Sequence, residues 1–289
     1  MAYLIAITVL WAFSFSLIGE YLSGQVDDDF AVLSRVVLAG VLFLPLTWWR
    51  GVQGELKLGM IAIGALQFGV TYLCLYRSFA YLTVPEVLLF TVTTPLWVAL
   101  IDDALYRRFS PVALLAAALS VIGAGVIRYD GITSDFVLGF VLLQIANAAF
   151  AGGQVGYKHL VRRHPTDVPL WGFFGYFFLG GLLVSAPSFL LFGDAGMLPE
   201  TPVQWGIILW LGLAATGLGL FFWNRGGCLV DAGTLAVMNN ALVPAGLLVN
   251  LLIWNREADL LRLALGGAII GFSLWVNARF SQRAELRMA

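Results

Sequence analysis

Runs of mostly apolar residues, each long enough to cross a bilayer, recur ten times along this chain. They fall at about 2–22, 31–49, 58–80, 84–102, 111–128, 137–158, 169–192, 203–223, 233–253 and 260–279. A spanning helix needs ~20 such residues. The connectors are short and carry the expected breakers: Gly24 with Asp27, Asp28 and Asp29; Gly51 and Gly54; Ser110-Pro111; Gly131; Pro165 and Pro169; Gly193, Pro199 and Pro202. None can hold a soluble domain, so the chemistry has to happen inside the membrane or at its edge. Only 11% of the residues are charged, against roughly 25% in a soluble domain. Long apolar runs also argue against a transmembrane barrel, whose strands alternate. The expected fold is an all-α integral membrane protein.

Other classes fall away on composition. The net charge of −1 gives no basis for a nucleic-acid partner. Cys74 and Cys228 make no disulfide framework. His159 and His164 stand beside Arg162 and Arg163 without a second ligand cluster, and no HExxH, GxSxG, P-loop or CxxC pattern occurs. No enzyme chemistry, metal or cofactor is expected. The first run opens at Ala2 with no basic region before it, which reads as a mature helix rather than a signal peptide.

Basic residues set the expected orientation, because cytoplasmic loops carry an excess of Lys and Arg. With the N-terminus inside, the cytoplasmic side receives Arg50, Lys57, Arg107, Arg108, Lys158, Arg162, Arg163, Arg225, Arg279, Arg283 and Arg287. The other side receives Arg128, Arg256 and Arg262. Both termini are therefore expected inside the cytoplasmic (inner) membrane. Ten spans split evenly imply two halves, 1–130 and 131–289, of opposite topology, an arrangement many secondary transporters use. A shift of 149 places Pro95 on Pro244, each late in the fourth helix of its half and each behind polar residues, Thr93 and Thr94 or Asn239 and Asn240.

The stretch Thr83–Asp103 carries the most chemistry. Glu86, Thr93 and Trp97 share one helical face, with Phe90 beside them. Ionisable groups in a span usually face a bundle interior or a water-filled path. This face is expected to line a solute cavity; the alternative is that Glu86 sits high enough to reach headgroups. In the sixth segment Gln144, Asn147, Gln154 and Lys158 hold one face. They either hydrate a cavity or join helices as hydrogen-bonding glue. Asn239 and Asn240, before Pro244, either bind solute or satisfy the backbone that proline disrupts. Arg35 can fork onto a substrate carboxylate, snorkel to the interface, or pair with Asp27, Asp28 or Asp29. Arg77 can pair with Glu86, and that pair would bear on proton coupling. Trp11, Tyr72, Tyr76 and Tyr176 lie on segments expected to face the cavity. Gly152 with Gly156 and Gly267 with Gly271 permit close helix crossing.

The opening LWAFSFSLIGEYL, the second-helix LSRVVLAG, and the fourth-helix ends TTPLWVAL and ALVPAGLL resemble the drug/metabolite transporter superfamily, in its ten-helix EamA-like branch. The resemblance implies a basket of helices around a central cavity, alternating access, and export of small metabolites such as amino acids or related amines. The partners it implies are a small-molecule solute and the lipid bilayer, with a monomer as the working unit. The competing class is a membrane-embedded protein that transports nothing, either a lipid-modifying enzyme or a receptor or scaffold. It would need clustered ligands or a long soluble loop.

Overall fold

The computed structural model describes residues 1–107, 134–230 and 232–254, with isolated helical positions among 111–119 and 261–275. Eight helices carry the continuous parts. They are α1 Ala2–Leu22, α2 Asp28–Leu46, α3 Gly54–Ser78, α4 Val84–Tyr106, α5 Ser134–Arg163, α6 Leu170–Phe192, α7 Pro202–Cys228 and α8 Ala232–Trp254. Seven are long and apolar enough to cross a bilayer, and α8 holds a shorter apolar stretch, Met238–Trp254. No strand occurs among the described residues. These helices answer to the first four predicted segments and the sixth to the ninth. The fifth and tenth segments lie largely outside the described residues, as does the Gly267/Gly271 pair. The count of ten and the symmetry of the halves therefore rest on sequence.

The helices run up and down. At one end the 23–27 and 193–201 connectors meet: Asp27 N–H donates to the Met197 carbonyl (2.7 Å), and Asp194 N–H donates to Asp27 Oδ2 (3.1 Å). This end carries Asp27, Asp28, Asp29, Asp194 and Glu200, and we call it the acidic end. At the basic end Trp48 N–H donates to the Gly172 carbonyl (2.6 Å), and Lys158 Nζ to the Val230 carbonyl. Caps fix the helix starts. Asp27 accepts from Phe30 N–H at the head of α2. Thr201 and Gln204 form a reciprocal capping box at the head of α7. Gly24 and Gly51 turn the chain with positive φ, +70° and +82°, where a side chain would be strained.

One side of the bundle is solid. Phe43, Phe174, Phe178 and Phe221 pack with ring centroids 5.2–5.4 Å apart, tying α2, α6 and α7. α3 and α6 cross at glycines: a Cβ on Gly64 would fall 1.8 Å from the Phe177 carbonyl oxygen, and one on Gly180 would fall 1.9 Å from that of Ile61. On α5 the tight contact is at Gly153, whose Cβ would meet Gln67 Cβ at 2.1 Å. Gly152 and Gly156, the expected pair, have looser neighbours at 3.2 Å and 3.6 Å. Leu183, Leu190, Leu191 and Leu252 are exposed on the outside, as an apolar solvent requires.

Candidate functional site

Regular helix gives way at mid-span in α3, α4 and α7 and at the acidic end of α1. α1 ends in a π-helical stretch, Ile18–Leu22; α3 contains one at Ala65–Val70, and α7 another at Leu211–Leu218. π segments widen the turn and recur at functional sites. α4 breaks differently. Helix Val84–Phe90 passes through a 3₁₀ turn, Thr91–Thr93, into Thr94–Tyr106. Pro95 lacks an N–H, so the Thr91 carbonyl one turn back loses its helical donor. Thr94 Oγ1 donates to that carbonyl instead (2.6 Å), and Thr93 Oγ1 donates to the Phe90 carbonyl (2.9 Å).

Beside this break lies a narrow hollow of about 80 Å³. Its walls come from α1, α2, α3, α4, α5 and α8. Trp11, Tyr72, Asn147 and Asn239 line it, four of the expected site residues brought together from four helices. Arg35 lines it as well. So do Ser14 on α1 and Thr71, Thr91 and Thr94 on α3 and α4, which the sequence reading did not single out. Phe15 and Phe150 complete aromatic walls. α7 contributes none of these lining residues and holds them from behind. Trp11 Nε1 donates to the Ala215 carbonyl (2.7 Å), inside the π stretch where the backbone is loosened. Thr216 Oγ1 accepts from Arg35 Nε (2.9 Å).

A second layer orients the first. Asn147 Nδ2 donates to the Phe90 carbonyl (2.9 Å) and to Thr93 Oγ1 (3.0 Å). Gln144 Oε1 accepts from Thr93 Oγ1 (2.7 Å) and Trp97 Nε1 (3.2 Å). Gln154 exchanges hydrogen bonds with Asn239 (3.0 and 3.3 Å), and its Oε1 also accepts from Trp223 Nε1 (3.0 Å). Toward the basic end, Gln67 and Asn224 form a reciprocal buried amide pair (3.1 Å each way) between α3 and α7. Thus Thr93 and Gln154 stand one bond behind the wall, with Gln144 and then Trp97 further back along the same chain of bonds. Asn239 faces the hollow and also donates to the Leu235 carbonyl (2.9 Å), which is not the Asn240 carbonyl that Pro244 frees. Asn240 is buried beside it with neither amide atom hydrogen-bonded among the described residues, and it does not line the hollow.

Five more expected positions fall elsewhere. Glu86 does not line the hollow; its Oε2 accepts from Thr83 N–H (2.6 Å) and Thr83 Oγ1 (2.7 Å) at the head of α4. Thr83-Val84-Pro85-Glu86 is a T-x-x-E capping signature, with Pro in the first turn where its missing N–H costs nothing. Arg77 pairs with Asp29 rather than Glu86 (3.1 Å) and adds Ser188, binding α2, α3 and α6 at the acidic end. Phe90 packs against Phe136 and Phe140. Tyr176 donates to the Trp48 carbonyl (3.1 Å) at the basic end. Tyr76 lies behind the wall, where its hydroxyl accepts from Arg35 Nη1 (3.1 Å).

The cap reading of Glu86 has an expected outcome. Glu86→Gln keeps an acceptor in the box and leaves transport and melting temperature near wild type. Glu86→Ala removes the cap and lowers stability by about 0.5–2 kcal/mol. Thermal melting and flux of both variants check this. Loss of flux in Glu86→Gln at unchanged melting would return the carboxylate to the transport step.

A helical membrane bundle folded around a polar and aromatic hollow at mid-depth is the architecture of a small-solute carrier. The EamA-like transporter family matches residues 1–129. Over 277 residues the chain is 65% identical to a probable biotin transporter of Pseudomonas aeruginosa, covering 96% of this chain and 97% of that one. It is 48% identical over 281 residues to biotin transporters of Salmonella typhimurium and Escherichia coli, covering 97% of this chain and 93% of theirs. A crystal structure 18% identical in sequence superposes with a TM-score of 0.73 over 98% of each chain, which concerns the fold alone. The chain belongs to the EamA-like transporter family, within the drug/metabolite transporter superfamily. It is an integral membrane transporter of small molecules, not an enzyme.

Proposed function

We propose that this chain carries biotin across the inner membrane by alternating access around the hollow. The names of its relatives point to biotin, and the observation that carries the reading is the chemistry of the walls. Biotin has a carboxylate, a ureido group with N–H donors and a carbonyl, and an apolar thioether ring and chain. Arg35, the Oδ1 acceptors of Asn147 and Asn239, the Ser14 hydroxyl, and the aromatic faces of Trp11 and Phe150 offer a counterpart to each. At about 80 Å³ the hollow is smaller than the ~300–1,000 Å³ usual for small-molecule sites, so its walls have to part to admit biotin. An amino acid or amine would want a carboxylate for its ammonium group, and among the described lining residues there is none.

Most of the lining sits in the half of each helix nearer the acidic end, while the Gln67–Asn224 pair and the Gln154–Asn239–Trp223 cluster close the basic side. With both termini cytoplasmic, loading through the acidic end would be uptake. The export that the resemblance implies would load after the hollow opens to the basic end. The two inverted halves, 1–130 and 131–289, would supply that exchange.

Counterflow tests the reading. Proteoliposomes preloaded with unlabelled biotin should accumulate labelled biotin, with unlabelled biotin outside competing and an excess of leucine or arginine not competing. Accumulation of a labelled amino acid in place of biotin would overturn it. Repeating the flux with and without a pH gradient reads the coupling.

A further inference from the structure

We infer that Arg35 selects a carboxylate, so that the solute is taken as an anion and held by its acid end; this rests on the biotin reading and names the group that is recognised. Arg35 is 1% exposed, in a helix of an apolar bundle, and it lines the hollow. A buried guanidinium is expensive at membrane depth and is ordinarily paired. Here its partners are neutral. Nε binds Thr216 Oγ1 and Nη1 binds the Tyr76 hydroxyl, while the Cζ atom stands 4.2 Å from the Tyr72 ring centroid. Among the described residues no carboxylate lies within 4.0 Å of it. Asp29, on the same helix, is taken by Arg77, and Asp28 lies seven residues back, about 10 Å along the helix axis.

Hydroxyls and a ring face hold a guanidinium in place but do not neutralise it. Of its five N–H groups, the two bonds above use one each on Nε and Nη1. The planar fork borders the hollow, and as the walls part it has the shape that takes a carboxylate in two parallel hydrogen bonds. The same wall offers Ser14, buried at 6% exposure with Oγ unbonded among the described residues, as a further polar contact along the solute. A solute acid would complete the ion pair, and a neutral ester or amide of the same molecule would leave the cation unpaired.

The test uses the full chain in detergent or proteoliposomes, with labelled biotin competed by biotin and by biotin methyl ester. Wild type should prefer the acid by on the order of 10- to 100-fold, the value of a hydrogen bond to a charged group. Arg35→Gln should bind both with the affinity wild type shows for the ester, and Arg35→Lys should keep part of the preference. Equal competition by acid and ester in wild type would overturn the inference and leave biotin standing, whether or not Arg35→Gln folds. So would an undiminished preference in folded Arg35→Gln. Binding of some other organic acid, but neither biotin nor the ester of that acid, would sink biotin and keep the role of Arg35.

Discussion

Gly64→Ala is expected to leave little folded protein. The added methyl would stand 1.8 Å from the Phe177 carbonyl oxygen and 2.6 Å from its carbonyl carbon. These are backbone atoms, so no rotamer change relieves the overlap and the helices must part. Gly180 makes the reciprocal contact, with its Cβ position 1.9 Å from the Ile61 oxygen and 2.7 Å from Ala65 N. Lipid tails are as apolar as a leucine, so close van der Waals packing is what holds such helices together. Overpacking a tight core typically costs about 1–3 kcal/mol, and a backbone clash belongs at the upper end or beyond it. Because α3 carries Thr71 and Tyr72 into the hollow, what folded protein remains should also bind solute poorly. Gly206→Ala is the control, since nothing lies within 4 Å of a Cβ there. Equal melting temperatures and yields for the two variants would mean that the α3–α6 crossing is not as close as described.

Ser14→Trp is expected to stop transport without unfolding the chain. Ser14 sits in the wall of the hollow on α1, one helical turn from Trp11 and next to Phe15. Its hydroxyl has no partner among the described residues, so removing it costs the fold little. An indole at that point takes up space the solute needs. Counterflow of biotin should fall to the level of empty vesicles while the protein stays folded, its stability lowered by about 1–3 kcal/mol through overpacking. Ser14→Ala should carry biotin at a rate close to wild type. If Ser14→Trp transports like wild type, the solute travels by another route.

Much of the architecture was legible because a bilayer narrows the choice of fold so severely. Ten apolar runs and their breakers located every helix that is described, and Gln144 and Asn147 at adjacent turns marked the inner face of α5. Depth and partners were less legible. Thr93 and Trp97 share a face with Glu86, and periodicity alone put all three on the cavity; yet Glu86 stands at the helix head, where its local T-x-x-E signature explains it without any solute. That signature is local and lies within four residues of sequence. Arg35 shows the opposite case. Its bond to Thr216 spans 181 positions of chain, so no local pattern separates a cation at the interface from one aimed into a hollow. Gly153 was passed over for the regular Gly152/Gly156 spacing because which glycine meets a neighbour depends on helix rotation, set here by Gln67 on α3.

The most direct measurement is a cryo-electron microscopy map of the full chain with saturating biotin. Density for the solute is predicted between Trp11, Asn147 and Arg35, with its acid end on the guanidinium. A map with that space filled by side chains, and the solute bound elsewhere or absent at a concentration that saturates transport, would contradict the account.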